Sequence, residues 1–196
     1  LLRLFFVFKS FLLQKTENGF RKFATYVRYR TEDGQHVTYE LHKYIQCKSI
    51  LMDEHEHSFY WTGSKNPIIS SDLQDFKHLI KAKEGELDKA IFRFKRPITY
   101  NDFCIVHVKM ELDDSDGKSQ HYCEQSISEP VQLISFRIEL KHLQSHKDAF
   151  IRRRKLRTTV ATEEDMGFVC FDTKTQSYEK NIFYPETGYA YRIDWR

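Results

Sequence analysis

Residues 103–112, FCIVHVKMEL, decide the fold class: Cys104, Val106, Val108, Met110 and Leu112 alternate with Ile105, His107, Lys109 and Glu111. A period of two places one apolar set on one face, the pattern of a strand with that face in a core. Phe92 and Phe94 alternate with Arg93 and Lys95 in the same way, and Ile134, Phe136, Ile138 and Leu140 with Ser135, Arg137, Glu139 and Lys141. Val106, Val108, Phe92, Phe94, Phe136 and Ile138 are therefore expected in one core.

Upstream, residues 23–30 alternate and end at TEDG (31–34), whose Asp-Gly suits a tight hairpin. Val37, Tyr39 and Leu41 then share one face of a returning strand. Residues 72–83, DLQDFKHLIKAK, fit either a short helix or an irregular strand, because Leu73, Phe76, Leu79 and Ile80 have helical spacing. Strands follow at 89–95, with Pro97 as a stop, and at 103–112, ending in the polar hairpin loop DDSDGK (113–118). Residues 167–171 and 177–184 read as a hairpin around 172–175, and PETG (185–188) turns the chain into a last strand.

Frequent strands with short turns and few helical stretches predict a mainly β fold, an antiparallel β-sandwich or small β-barrel. The 196 residues suit one β domain over 20–196, preceded by an apolar leader and polar break over 1–19. From Leu1 to Leu13 the leader, LLRLFFVFKSFLL, is apolar nearly all round. As a helix it would reach about 20 Å, short of the roughly 30 Å hydrocarbon core. It suits packing on the domain, the end of a longer membrane segment, or association with lipid or another chain.

Charge is nearly balanced, 31 Lys and Arg against 28 Asp and Glu, so a nucleic-acid partner is not expected from composition. Cys47, Cys104, Cys123 and Cys170 form no C-x-x-C pair and read as small buried hydrophobes. That favours a reducing, cytoplasmic setting, with membrane association left to the leader.

Three constellations are candidates for chemistry. DEHEH (53–57) places His55 and His57 on one strand face beside carboxylates, a metal-like arrangement that also suits a solvated loop. Arg152, Arg154 and Lys155 lie in the run RRRKLR, which can neutralise an anionic ligand such as a nucleotide, or can charge an edge strand against aggregation. Tyr189 and Tyr191 can line a pocket with them, or pack as cross-strand pairs. Nucleophile elbows and phosphate-cradling glycine loops are absent from the sequence, and no motif calls for a cofactor. The balance falls on a non-catalytic recognition or regulatory module of a larger protein, whose partner is a protein or neighbouring domain. An anion-binding β-barrel sensor is the alternative.

Overall fold

The computed structural model describes residues 19–83, 86–156 and 162–195; the leader and its polar break, through residue 18, lie outside them. Thirteen strands and no helix make up the described residues: β1 (Phe20–Thr31), β2 (His36–Cys47), β3 (Leu51–Phe59), β4 (Ile68–Ser70), β5 (Gln74–Ile80), β6 (Asp88–Thr99), β7 (Phe103–Asp113), β8 (Tyr122–Ile127), β9 (Leu133–Leu140), β10 (Ala149–Lys155), β11 (Glu163–Val169), β12 (Ser177–Phe183) and β13 (Tyr189–Asp194). They form a six-stranded sheet ordered β12-β9-β1-β2-β7-β4, a four-stranded sheet β11-β10-β13-β8 and a three-stranded sheet β3-β6-β5. Each sheet is open, so the sandwich expectation holds and the barrel alternative does not.

The six-stranded sheet is the platform. Its inner face carries Val27, Leu41, Val106, Val108, Ile134, Phe136 and Ile138, all buried. The two smaller sheets cover different ends of that face. Phe20 meets His55 of β3 at one end, ring centroids 5.2 Å apart, and Tyr29 meets Trp195 edge-on at 4.9 Å at the other. Phe92 and Phe94 of β6 join the same core, so the six residues chosen from alternation are buried together.

The first hairpin forms where its turn chemistry places it. Gly34 adopts φ 83°, the Asp33 carboxylate accepts the Gln35 and His36 amides at 2.8 Å each, and Thr31 pairs with Val37. Those bonds, with the His36 side chain at 2.7 Å, hold the Asp33 carboxyl well below its usual range.

Four expectations need correction. β1 and β9 pair in parallel, Ala24 opposite Leu133 through Thr31 opposite Leu140, so the sheet is not antiparallel throughout. Long excursions through other sheets separate these two strands, which removes the constraint of a tight hairpin. Residues 113–118 do not close a hairpin either, because β7 belongs to the six-stranded sheet and β8 to the four-stranded one. The turn at 172–175 does form, with reciprocal Asp172 and Ser177 backbone bonds, yet β11 and β12 diverge into different sheets. Finally, Pro97 does not stop β6. Pairing to β3 skips from Glu54–Arg93 to Met52–Ile98, and pairing to β5 reaches only Phe94, so Pro97 has no ladder amide to lose.

Residues 74–80 settle as the irregular strand, bulged between Phe76 and His78. Gln74 is buried and its side chain extends the edge of β7 as a short strand would. Its amide donates to the Ile105 carbonyl at 2.9 Å and its oxygen accepts the His107 amide at 2.9 Å.

Candidate functional site

Two places gather chemistry-bearing side chains: a polar cluster between sheets, and the outer face of the platform. The cluster begins with a bulge in β1. Lys22 pairs with Ile45 and Ala24 with Tyr44, so residue 23 is extra and both Lys22 and Thr25 share the inward side. Thr25 lies opposite Lys43 of β2, whose parity with Leu41 and Ile45 also turns it inward. From the covering sheet, β3 contributes His55 and His57, two residues apart and therefore on one face. The 53–57 segment is thus a strand rather than a solvated loop, with Asp53, Glu54 and Glu56 outward and both imidazoles buried.

Lys43 is 7% exposed and its Nζ lies 3.1 Å from His57 Nδ1. Burial first, with the charge of Lys22 added, pushes the Lys43 ammonium down to about 7. Burial, followed by the charges of Lys43 and Lys22, also holds His55 and His57 well below the ordinary imidazole range. Among the described residues, the one carboxylate that acts on this group is Glu129, toward Lys22. Thr25 Oγ1, both ring nitrogens of His55 and Nε2 of His57 have no hydrogen-bond partner among the described residues. Lys43 Nζ and His57 Nδ1 share one hydrogen bond, and since both imidazoles are neutral each carries one N–H donor and one acceptor nitrogen, which leaves the Thr25 hydroxyl and the imidazole N–H groups as buried donors with no partner to receive them. No group of three or more His, Cys, Asp or Glu able to hold a metal occurs among the described residues.

The outer face of the platform is ordered by register. Phe183, Leu133, Ala24, Tyr44 and Ile105 form one row across five strands. Phe183 is 68% and Tyr44 43% exposed. Tyr26 stands edge-on to Tyr44 at 5.6 Å, and Phe23, displaced by the bulge, packs on Phe103 at 5.5 Å. Four residues along each strand, on the same face, the row is charged: Glu179, Arg137, Arg28, Glu40 and Lys109. Arg28 reaches Glu139 at 3.0 Å and Glu40 at 3.4 Å, and Arg137 reaches Glu179 at 2.8 Å. This charged end is a trough of about 650 Å³ in which Lys65 pairs with Asp113 at 2.6 Å and Lys109 with Glu111 at 3.2 Å.

The basic run lies on β10, in the four-stranded sheet. Arg152 and Arg154 occupy one face, while Lys155 shares the opposite parity with Tyr189 and Tyr191 of β13. Arg154 is bidentate on Glu124, Arg152 reaches Glu163 at 3.4 Å, and Arg153 bridges Glu164 and Glu186 at 2.7 and 2.8 Å. Tyr189 lies under the Arg153 guanidinium at 4.5 Å, and the buried Tyr191 hydroxyl accepts the Glu186 amide at 2.7 Å. The five residues do not converge on one pocket. Arg157 lies outside the described residues.

The cysteines are free, with Cys47 and Cys123 buried, Cys104 half-buried and Cys170 exposed, which corrects the reading of all four as buried hydrophobes. No helix of the described residues is long and apolar enough to cross a membrane.

No family model and no curated protein matches the chain. Among solved structures, it is similar to a two-domain M1 zinc metallopeptidase bound to L-tryptophan, at 9% identity and TM-score 0.48, covering 90% of this chain and 43% of that one. It is similar also to the M1 zinc metallopeptidase of Deinococcus radiodurans, at 9% identity and TM-score 0.46, covering 90% and 42%. Native yeast LTA4 hydrolase matches at 12% identity and TM-score 0.46, covering 90% and 29%. The chain thus spans less than half the length of each. Likenesses this distant assign neither family nor activity, and the class defined here is an open, three-sheet β domain.

Proposed function

We propose that the chain is a non-catalytic recognition module of a larger protein or assembly, engaging a protein partner through the outer face of its six-stranded sheet. The observation that carries this reading is the register row of exposed and half-exposed apolar residues from Phe183 to Ile105, with Tyr26 beside it. An aromatic centre flanked by a polar, charged rim is the anatomy of protein interfaces, where Tyr and Arg concentrate binding energy. The rim favours a protein over a polyanion. Arg28, Arg137, Lys65 and Lys109 already face carboxylates, so phosphates would have to displace those pairs. The complementary partner surface is an apolar patch edged by both signs of charge.

The test is size-exclusion chromatography of the full chain in extracts of its source cells, against Y26S/Y44S/F183S. Wild type should elute in a complex and the triple variant, folded by near-ultraviolet circular dichroism, at the monomer position. A triple variant that stays in the complex, or a wild type that is already monomeric, overturns the proposal.

A further inference from the structure

We propose that Thr25, Lys43, His55 and His57 form a binding site, between the six-stranded and three-stranded sheets, for one small free oxyanion of phosphate or carboxylate type. The inference is independent of the docking face, which lies on the other side of the platform.

The first argument is donor geometry. Thr25 and Lys43 are directly opposed across β1 and β2, and His55 and His57 descend from the covering sheet with Lys43 Nζ 3.1 Å from His57 Nδ1. Thr25 and His55 are exposed by 0% and 3%, and Lys43 and His57 by 7% and 5%, so unmet polar groups here are far costlier than at a surface. An oxyanion accepts several such bonds at once.

The second argument is the sign of the charge. Lys22 and Lys43 act on both imidazoles, and the carboxylate that bears on the group, Glu129, acts on Lys22. A divalent cation would meet two lysines and no anionic ligand. A water molecule can hydrogen-bond here but does not offset the positive charge of Lys22, or of Lys43 in its protonated form, in a low-dielectric interior. An anion accepts the donors and offsets that charge. Packed sheets lie about 10 Å apart, which rules out a nucleotide and limits the occupant to a free ion of a few heavy atoms.

Binding is then coupled to protons. In the free protein at pH 8 Lys43 is largely neutral, its ionisation lowered to about 7 by burial and by Lys22, and a bound anion favours its charged form. Each anion bound at pH 8 should bring close to one proton with it. Lys22, His55, His57 and Glu129 are the other titratable groups facing this site.

The experiment is isothermal titration calorimetry of the full chain at pH 8 with orthophosphate, sulfate and acetate. It is run in buffers of different ionisation heat whose own anions are bulky. Saturable binding with proton uptake near one, weakened at least tenfold in Lys43→Met and unchanged in Lys174→Met, an exposed turn residue that belongs to neither site, supports the site. Phosphate and sulfate binding without acetate assigns it to tetrahedral oxyanions; acetate alone assigns it to carboxylates. The Lys43 side-chain Nζ resonance, followed in wild type by nitrogen NMR, provides a readout that needs no variant and should move to its charged position on saturation. Absence of saturable binding by all three ions, or binding that leaves the Lys43 resonance and the proton count unmoved, overturns the proposal.

Discussion

Replacing Lys43 by Met exposes the energetics of the inter-sheet cluster directly. In the folded chain Lys43 gives up its proton near pH 7, against 10.5 for the ordinary side chain. Between those values the unfolded state binds more protons than the folded one, so this residue makes stability rise with pH. With a tenfold change worth about 1.4 kcal/mol, the ionisation cost is roughly 4 kcal/mol at pH 7 and about 1 kcal/mol at pH 9.5. Met fills similar volume without charge and removes that cost. It also removes the bond to His57 and leaves Nδ1 unmet, a loss on the order of 1–3 kcal/mol. Lys43→Met should therefore exceed wild type by about 1–3 kcal/mol at pH 7, and the advantage should shrink by about 3 kcal/mol at pH 9.5. Urea unfolding of both proteins at the two pH values, in low-anion buffer, reads this difference and cancels titrations common to both. A difference that does not change with pH would refute the reasoning, because Lys43 would then keep an ordinary ionisation inside the core.

Phe136 is 1% exposed at the centre of the platform, so Phe136→Ala should cost roughly 3–5 kcal/mol in chemical unfolding; wild-type stability would refute the face assignment. R152A/R154A/K155A should leave binding to duplex DNA or anionic vesicles as weak as in wild type, because Arg152 and Arg154 are held by Glu163 and Glu124. Tight wild-type binding with a steep salt slope, abolished by the variant, would instead assign the run to phosphates. A thiol reagent under native conditions should modify the exposed Cys170 before Cys47 and Cys123, which should react only on unfolding; early labelling of Cys47 would contradict its placement.

The core was legible because its strands alternate cleanly: Val106, Phe136 and their neighbours differ from flanking charges at every second position. Topology was less legible. Turn chemistry identifies where the chain reverses, as at Asp33–Gly34 and 172–175, but not whether the next strand stays in the same sheet. The parallel β1–β9 pair joins residues more than a hundred positions apart, beyond any local signal. Of the cluster, His55 and His57 stood out by residue type, while Lys43 was marked by inward parity between Leu41 and Ile45 and Thr25 was hidden by the bulge at residue 23. The docking row was invisible for another reason. Phe183, Leu133, Ala24, Tyr44 and Ile105 come from five strands and become neighbours only through register.

The claim that the outer face of the six-stranded sheet is the docking surface is tested most directly by photo-cross-linking in the source cells. A benzophenone side chain is placed in turn at Tyr44 and Phe183 on that face, and at Phe168 of β11 in the four-stranded sheet, which is also exposed, at 61%. Positions 44 and 183 should yield the same discrete protein adduct, lost when Tyr26 is changed to Ser, with no such adduct from position 168. An adduct that forms equally from position 168, or none from 44 and 183, would contradict the account.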